Sequence, residues 1–152
     1  MCERIIGLTK YSNQYLAGFF DGEGCIGLRG NPSSIKYVTY SLVLCIPQLV
    51  SRNSTELFRV LKKRFGGRLY KRSWAKRRRP CYQYMIFGED AVLFLQRLRP
   101  HLVFKAAQAD VAIQWFQNRS PWRPRNGQPR FRWSAKDEKV ALKLKQMKRK
   151  VQ

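Results

Sequence analysis

The stretch Leu16-Ala17-Gly18-Phe19-Phe20-Asp21-Gly22-Glu23-Gly24 constrains this chain more than any other. Tyr15, Leu16, Phe19 and Phe20 fall on an apolar face at helical spacing, so Thr9 to Phe20 is predicted as a helix capped by Ser12 or Asn13. The glycines at 22 and 24 are expected to stop it at Asp21–Gly24 and to allow a tight exit into a strand. Ala17, Gly18 and Gly22 are small enough for another helix backbone to come close. Only nine acidic residues occur among 152, yet Asp21 and Glu23 stand two positions apart at this helix end. Beside a polyanion, paired carboxylates are unfavourable unless a cation lies between them, and a divalent ion is the natural candidate. Such an ion would activate water and steady the leaving oxygen in phosphodiester cleavage. The same spacing also describes a Gly-rich helix stop with solvated acids, and spacing alone does not choose between the two.

The polyanion follows from the charge. Lys and Arg total 31, Asp and Glu total 9, and the net charge is +22. The basic residues are clustered: Arg68, Lys71, Arg72, Lys76, Arg77, Arg78 and Arg79 in one hairpin, a run of arginines between Arg119 and Arg132, and lysines from Lys136 to Lys150. Clusters with few compensating acids suit phosphate neutralisation with counterion release, and they point to nucleic acid without distinguishing an enzyme from a ribosomal protein. No run approaches the ~20 apolar residues of a membrane span. MCERIIGLTK lacks the apolar run of a signal peptide, so reduced thiols in an intracellular, DNA-associated setting are expected, the cytoplasm of a prokaryote or an organelle. Cys2, Cys25, Cys45 and Cys81 are scattered without a CxxC, which argues against a zinc ribbon; a bridge between Cys25 and Cys45 stays open. His101 is the only histidine, which excludes nucleases that need several.

Period-two patterning predicts strands at Cys25–Arg29 and Lys36–Ile46, separated by a turn at Asn31-Pro32-Ser33-Ser34. Ser54–Phe65 reads as an amphipathic helix capped by Ser54 or Asn53 and closed by Gly66-Gly67. Arg68–Trp74 and Tyr82–Phe87 read as a hairpin, and Asp90–Leu98, His101–Gln117 and Lys136–Arg149 as helices. The fold class is therefore α+β, one core domain over residues 1–117 and a basic Arg/Trp/Lys-rich extension over 118–152. A β-ribbon fits the major groove, and the polar strand faces suit that use: Arg29, Tyr37, Thr39, Ser41, Arg68, Tyr70, Arg72 and Gln83, with Leu69 and Ile86 toward the core. An ordinary solvent-facing sheet would show the same alternation.

The nine-residue stretch resembles the signature of the LAGLIDADG homing endonucleases, and the likeness extends over roughly residues 12–117. The resemblance is to the single-motif, homodimeric, intron-encoded type, with an αββαββα fold and a curved antiparallel DNA-binding sheet. It implies a site-specific, metal-dependent double-strand DNA endonuclease, or, as the alternative, an intron RNA maturase or a non-cleaving DNA-binding regulator of the same fold. It implies Glu23 and the Gly22 carbonyl as ligands of Mg2+ (with Ca2+ or Mn2+ as substitutes), and Asp21 as an acid that bonds around the helix ends. Glu23 departs from the aspartate common at that position and reaches one methylene further. Cys45-Ile46-Pro47-Gln48 ends a strand as in the family, which places Gln48 at the site rim to orient water, with Arg52 four residues on. Arg99-Pro100-His101-Leu102-Val103-Phe104-Lys105 resembles the family's entry to its long helix, implying Lys105 near the scissile phosphate and Gln108 beside it. One motif copy supplies one site, so a double-strand break needs a two-fold dimer, and Leu16, Ala17, Gly18 and Phe20 are expected at its interface. The partner is then double-stranded DNA at a near-palindromic site; RNA enters only with the maturase alternative.

Overall fold

A computed structural model describes residues 10–34, 37–73, 79–119 and 135–150. Arg77 and Arg78, with the Trp/Pro/Arg segment from residue 120 to 134, lie outside them, and Tyr37 and Thr39 are described by backbone alone.

Helix α1 spans Asn13–Glu23, and the Ser12 hydroxyl caps it by accepting from the Tyr15 N–H at 3.1 Å. It starts later than expected and ends later. Asp21, Gly22 and Glu23 form its last turn instead of following it. Gly22 inside a helix costs about 1 kcal/mol. Tertiary partners outweigh that: Phe20 is fully buried with its ring edge-on to Phe94 at 5.1 Å, and Asp21 is bonded to a distant loop. Gly24 ends the helix, its N–H donating to the Phe20 carbonyl at 2.8 Å. A Cβ on Gly24 would sit 2.1 Å from the Phe20 ring and 2.6 Å from the Phe20 carbonyl oxygen. Gly24→Ala is therefore expected to destabilise the fold by about 2–3 kcal/mol through overpacking. Urea unfolding should show a lower midpoint, and an unchanged midpoint would mean that the exit relaxes without cost.

Strands β1 (Cys25–Ser34) and β2 (Tyr37–Leu49) pair antiparallel with Cys25 opposite Cys45. Both outrun their predicted lengths. Asn31–Ser34, expected as a turn, continues β1 because pairing to Tyr37–Thr39 meets its backbone bonds, with a register irregularity between Pro32 and Ser34. Helix α2 (Arg52–Phe65) begins before the expected caps. Ser51 is the cap, exchanging bonds with Ser54: the Ser54 N–H donates to Ser51 Oγ at 3.1 Å and the Ser51 N–H to Ser54 Oγ at 2.9 Å. Strands β3 (Arg68–Arg72) and β4 (Cys81–Phe87) follow, then α3 (Gly88–Leu98), a 3-10 turn at Arg99–His101, α4 (Ala106–Gln117) and α5 (Ala135–Lys150). Gly66 and Gly67 join α2 to β3 at φ 71° and 80°, a region that favours glycine.

The four strands form one antiparallel sheet in the order β1-β2-β4-β3. One face is the core: Ile26, Leu42, Leu44, Ile46, Tyr84 and Ile86 are buried against helices. Side chains alternate across strands, so the opposite face carries Cys25, Gly27 and Arg29 of β1, Ser41 and Cys45 of β2, Gln83 of β4, and Arg68, Tyr70 and Arg72 of β3. The strands contain no Asp or Glu. The α+β class agrees with the sequence reading. Among the described residues no helix is long and apolar enough to cross a membrane, and Cys25, Cys45 and Cys81 are free.

Candidate active site and nucleic-acid interface

The end of α1 meets the chain entering α4, and Asp21 makes the junction. Its carboxylate is 9% exposed and accepts from the Val103 N–H at 2.7 Å, the Phe104 N–H at 3.3 Å and the Lys105 N–H at 2.9 Å. A buried carboxylate is tolerable because these three donors satisfy it. This capture explains why α4 begins at Ala106 and not at His101: residues 103–105 wrap around Asp21 before the helix can start. The Lys105 ammonium then donates back to the Asp21 carbonyl. Burial pushes the Lys105 ammonium below its ordinary value of 10.5, against the opposing pull of Asp21, Cys25 and Glu23.

Glu23 is exposed in the last turn of α1 and, among the described residues, its side chain makes no hydrogen bond or ion pair. The C-terminal carbonyls of a helix carry partial negative charge, and a carboxylate there adds to it. A hard cation relieves both. Glu23 and the Gly22 carbonyl are oxygen donors of the kind Mg2+ and Ca2+ accept. Among the described residues no three His, Cys, Asp or Glu side chains converge.

Gln48 lines a cleft of about 470 Å³ with Tyr11, Tyr15, Phe19 and Ser51, and its Oε1 accepts from the Leu49 N–H at 3.0 Å. Arg52 opens α2, and its charge acts on Lys10, which is paired to Glu56 at 3.0 Å. No hydrogen bond joins either residue to Glu23 among the described residues. Gln108 is buried in α4, with its Oε1 unpartnered.

Three of the four residues expected at a dimer interface are buried within the chain's own core. Leu16 is 1% exposed, and Ala17 and Phe20 are fully buried in the core. Only Gly18 faces out. The outward face of α1 carries Tyr15, Gly18 and Gly22, with Phe19 partly buried against the core, and no heavy atom lies within 4 Å of where a Cβ on Gly18 or Gly22 would sit. The 3.6-residue period separates these two faces and could have been read from sequence. Sequence reasoning also missed Arg64, whose guanidinium pins the entry to α1 through the Tyr11 carbonyl at 2.8 Å and Asn13 Oδ1 at 2.7 Å.

Of the expected DNA contacts, Arg29, Ser41, Arg68, Tyr70, Arg72 and Gln83 share the acid-free sheet face. Arg29, Arg68 and Arg72 are exposed, and Arg72 sits over the Tyr70 ring at 6.0 Å.

The fold has solved counterparts. The homing endonuclease I-CvuI in complex with its target superposes with a TM-score of 0.60 at 22% identity, covering 97% of this chain and 82% of that one. The archaeal intron-encoded homing endonuclease I-Vdi141I, complexed with DNA, gives 0.62 at 18% identity over 89% and 82%. This chain has the homing-endonuclease fold. The homing endonuclease I-TnaI gives 0.61 at 18% identity and covers 93% of this chain and 98% of that one. No family model matches the sequence, and no curated protein does either. At these identities the likeness establishes the homing-endonuclease fold, and it agrees with the resemblance carried by residues 16–24.

Proposed function

We propose that this protein is a LAGLIDADG-type homing endonuclease: a homodimer that makes a metal-dependent double-strand break at a long pseudo-palindromic DNA site. One observation carries the reading. The Asp21 carboxylate draws residues 103–105 onto α1 and so sets the Lys105 ammonium against the helix end that bears Glu23. An exposed acid, a desolvated cation and an arginine-bearing, acid-free sheet are the parts that hydrolysis of a phosphodiester needs. Similar structures solved with DNA, two of them with Ca or Mg present, support the same substrate and the same class of ion.

Glu23 and the Gly22 carbonyl would hold magnesium, which would supply an activated water and a Lewis acid there. Lys105 neutralises charge developing on the phosphoryl oxygens. Gln48 orients water and Arg52 adds positive charge, and both depend on a second protomer and DNA closing over the outward face of α1. That face, with Gly18 and Gly22 open, suits close helix pairing across a two-fold axis and sets one Glu23 against each strand. Arg29, Tyr37, Thr39, Ser41, Arg68, Tyr70, Arg72, Arg77, Arg78 and Gln83 form the DNA-reading surface of the core over residues 1–117, and residues 118–152 extend its reach.

Incubation with a plasmid library and magnesium should give discrete double-strand cuts, and the protein should elute as a dimer at high salt. Binding without cuts would turn the reading toward a non-cleaving regulator. The depressed pKa of Lys105 sets a pH dependence. Cleavage should fall along an alkaline limb below pH 10.5 as the ammonium loses its proton. Lys105→Arg should abolish that limb, because guanidinium stays charged. Stability moves the other way: between the depressed value and 10.5 the unfolded chain binds more protons, so this group's contribution rises with pH.

A further inference from the structure

We propose that the C-terminal helix α5 belongs to the DNA site, with Lys148 as a phosphate-binding residue beside the tip of α1. The inference rests on the nuclease reading and extends it to a residue that the motif likeness does not reach. Leu144 is fully buried in the protomer's core, Val140 packs against it, and α5 lies along β1 and α4. One turn beyond Leu144, the Lys148 side chain leaves this anchor and crosses to the outer sheet face. Its ammonium donates to Cys25 Sγ at 2.8 Å. Cys25 opens β1, two residues after Glu23. The ammonium also lies 3.4 Å from where a Cβ on Gly27 would stand, so a bare glycine leaves it room.

A thiol is a weak acceptor, and an ammonium has three donors. Among the described residues no carboxylate pairs with Lys148. The surface it joins has no acid in any strand and shows Arg29 on the same face of β1. Cys45, opposite Cys25, registers this charge. Burial and Cys25 push its thiol up, while Gln83, Arg29 and Lys148 pull it down. A half-buried cation with spare donors, fixed from behind by a buried leucine and facing the route of the substrate, is a receptor for a backbone phosphate.

The test is the salt dependence of binding to a fluorescein-labelled random-sequence duplex in calcium buffer. Lys148→Gln should make the slope of log K against log salt shallower by about 1.8 per dimer, two contacts at about 0.9 each. Lys148→Arg should restore it. Cys25→Ala removes the thiol and keeps the ammonium, so it should keep the wild-type slope. An unchanged slope in Lys148→Gln overturns the assignment and leaves the lysine as a tether between α5 and β1. Acylation footprinting of the wild-type protein reads the same contact without a variant: duplex should shield Lys148, and equal labelling with and without duplex would overturn it. If the wild type binds no duplex at all, the nuclease reading falls first. If it binds and cuts while Lys148→Gln behaves as wild type, only Lys148 falls.

Discussion

Glu23→Gln should bind duplex with nearly wild-type affinity and cleave it at least about a thousandfold more slowly, the scale expected when a metal-ligating carboxylate is lost. The side chain is exposed and makes no hydrogen bond or ion pair among the described residues, so its removal disturbs no packing or hydrogen bond. The amide keeps the shape and loses the charge, so the last turn of α1 no longer offers an anionic oxygen to a hard cation. Binding affinity should rise slightly at low salt, because a negative charge facing the phosphates has gone. The measurement is single-turnover cleavage beside gel-shift affinity in calcium. Cleavage at the wild-type rate would remove Glu23 from the site and, with it, the role assigned to the tip of α1.

Asp21→Ala should destabilise the fold by about 3–4 kcal/mol and abolish cleavage as a consequence. The carboxylate serves three backbone donors, at Val103, Phe104 and Lys105, in a setting 9% exposed to water. Alanine leaves those part-buried donors without their acceptor, and an unsatisfied donor costs about 1–3 kcal/mol where water does not replace the partner. The loop would then swing away and carry Lys105 from the helix end. Asp21→Asn keeps one acceptor oxygen and should recover part of the stability. Chemical denaturation and the cleavage rate should fall together across the two variants. A stable Asp21→Ala protein that has lost cleavage would instead mean that Asp21 acts on the substrate directly.

Arg64 and Arg99 show how little of the long-range polar framework is visible in advance. Arg64 ties α2 to the entry of α1 across 51 residues, and Arg99 pairs with Asp110 at 2.5 Å on the surface. The first holds the start of α1. The second is more than a third exposed on both sides and contributes little. Both read in sequence as one arginine among many.

Periodicity and caps made the elements legible. Ser12 capping α1, the apolar stripe Leu57, Phe58, Leu61 and Phe65 on α2, and alternation along β2 and β4 are local patterns, and local physics decides them. Boundaries failed where partners far along the chain intervened. Gly22 looked like a stop, but Phe94 and the 103–105 loop hold the helix one turn longer. Asn31–Ser34 looked like a turn, but a neighbouring strand extends it.

Sequence alone determined the positive charge, the α+β order and the acidic helix end, because composition and short-range spacing are properties of the chain itself. Only the tertiary structure decided that Asp21 reaches over 82 residues to shape the start of α4, and that Lys148 meets Cys25 across 123. Contacts between residues so far apart come from packing elements around one core, and that packing leaves no short-range pattern from which they could be read.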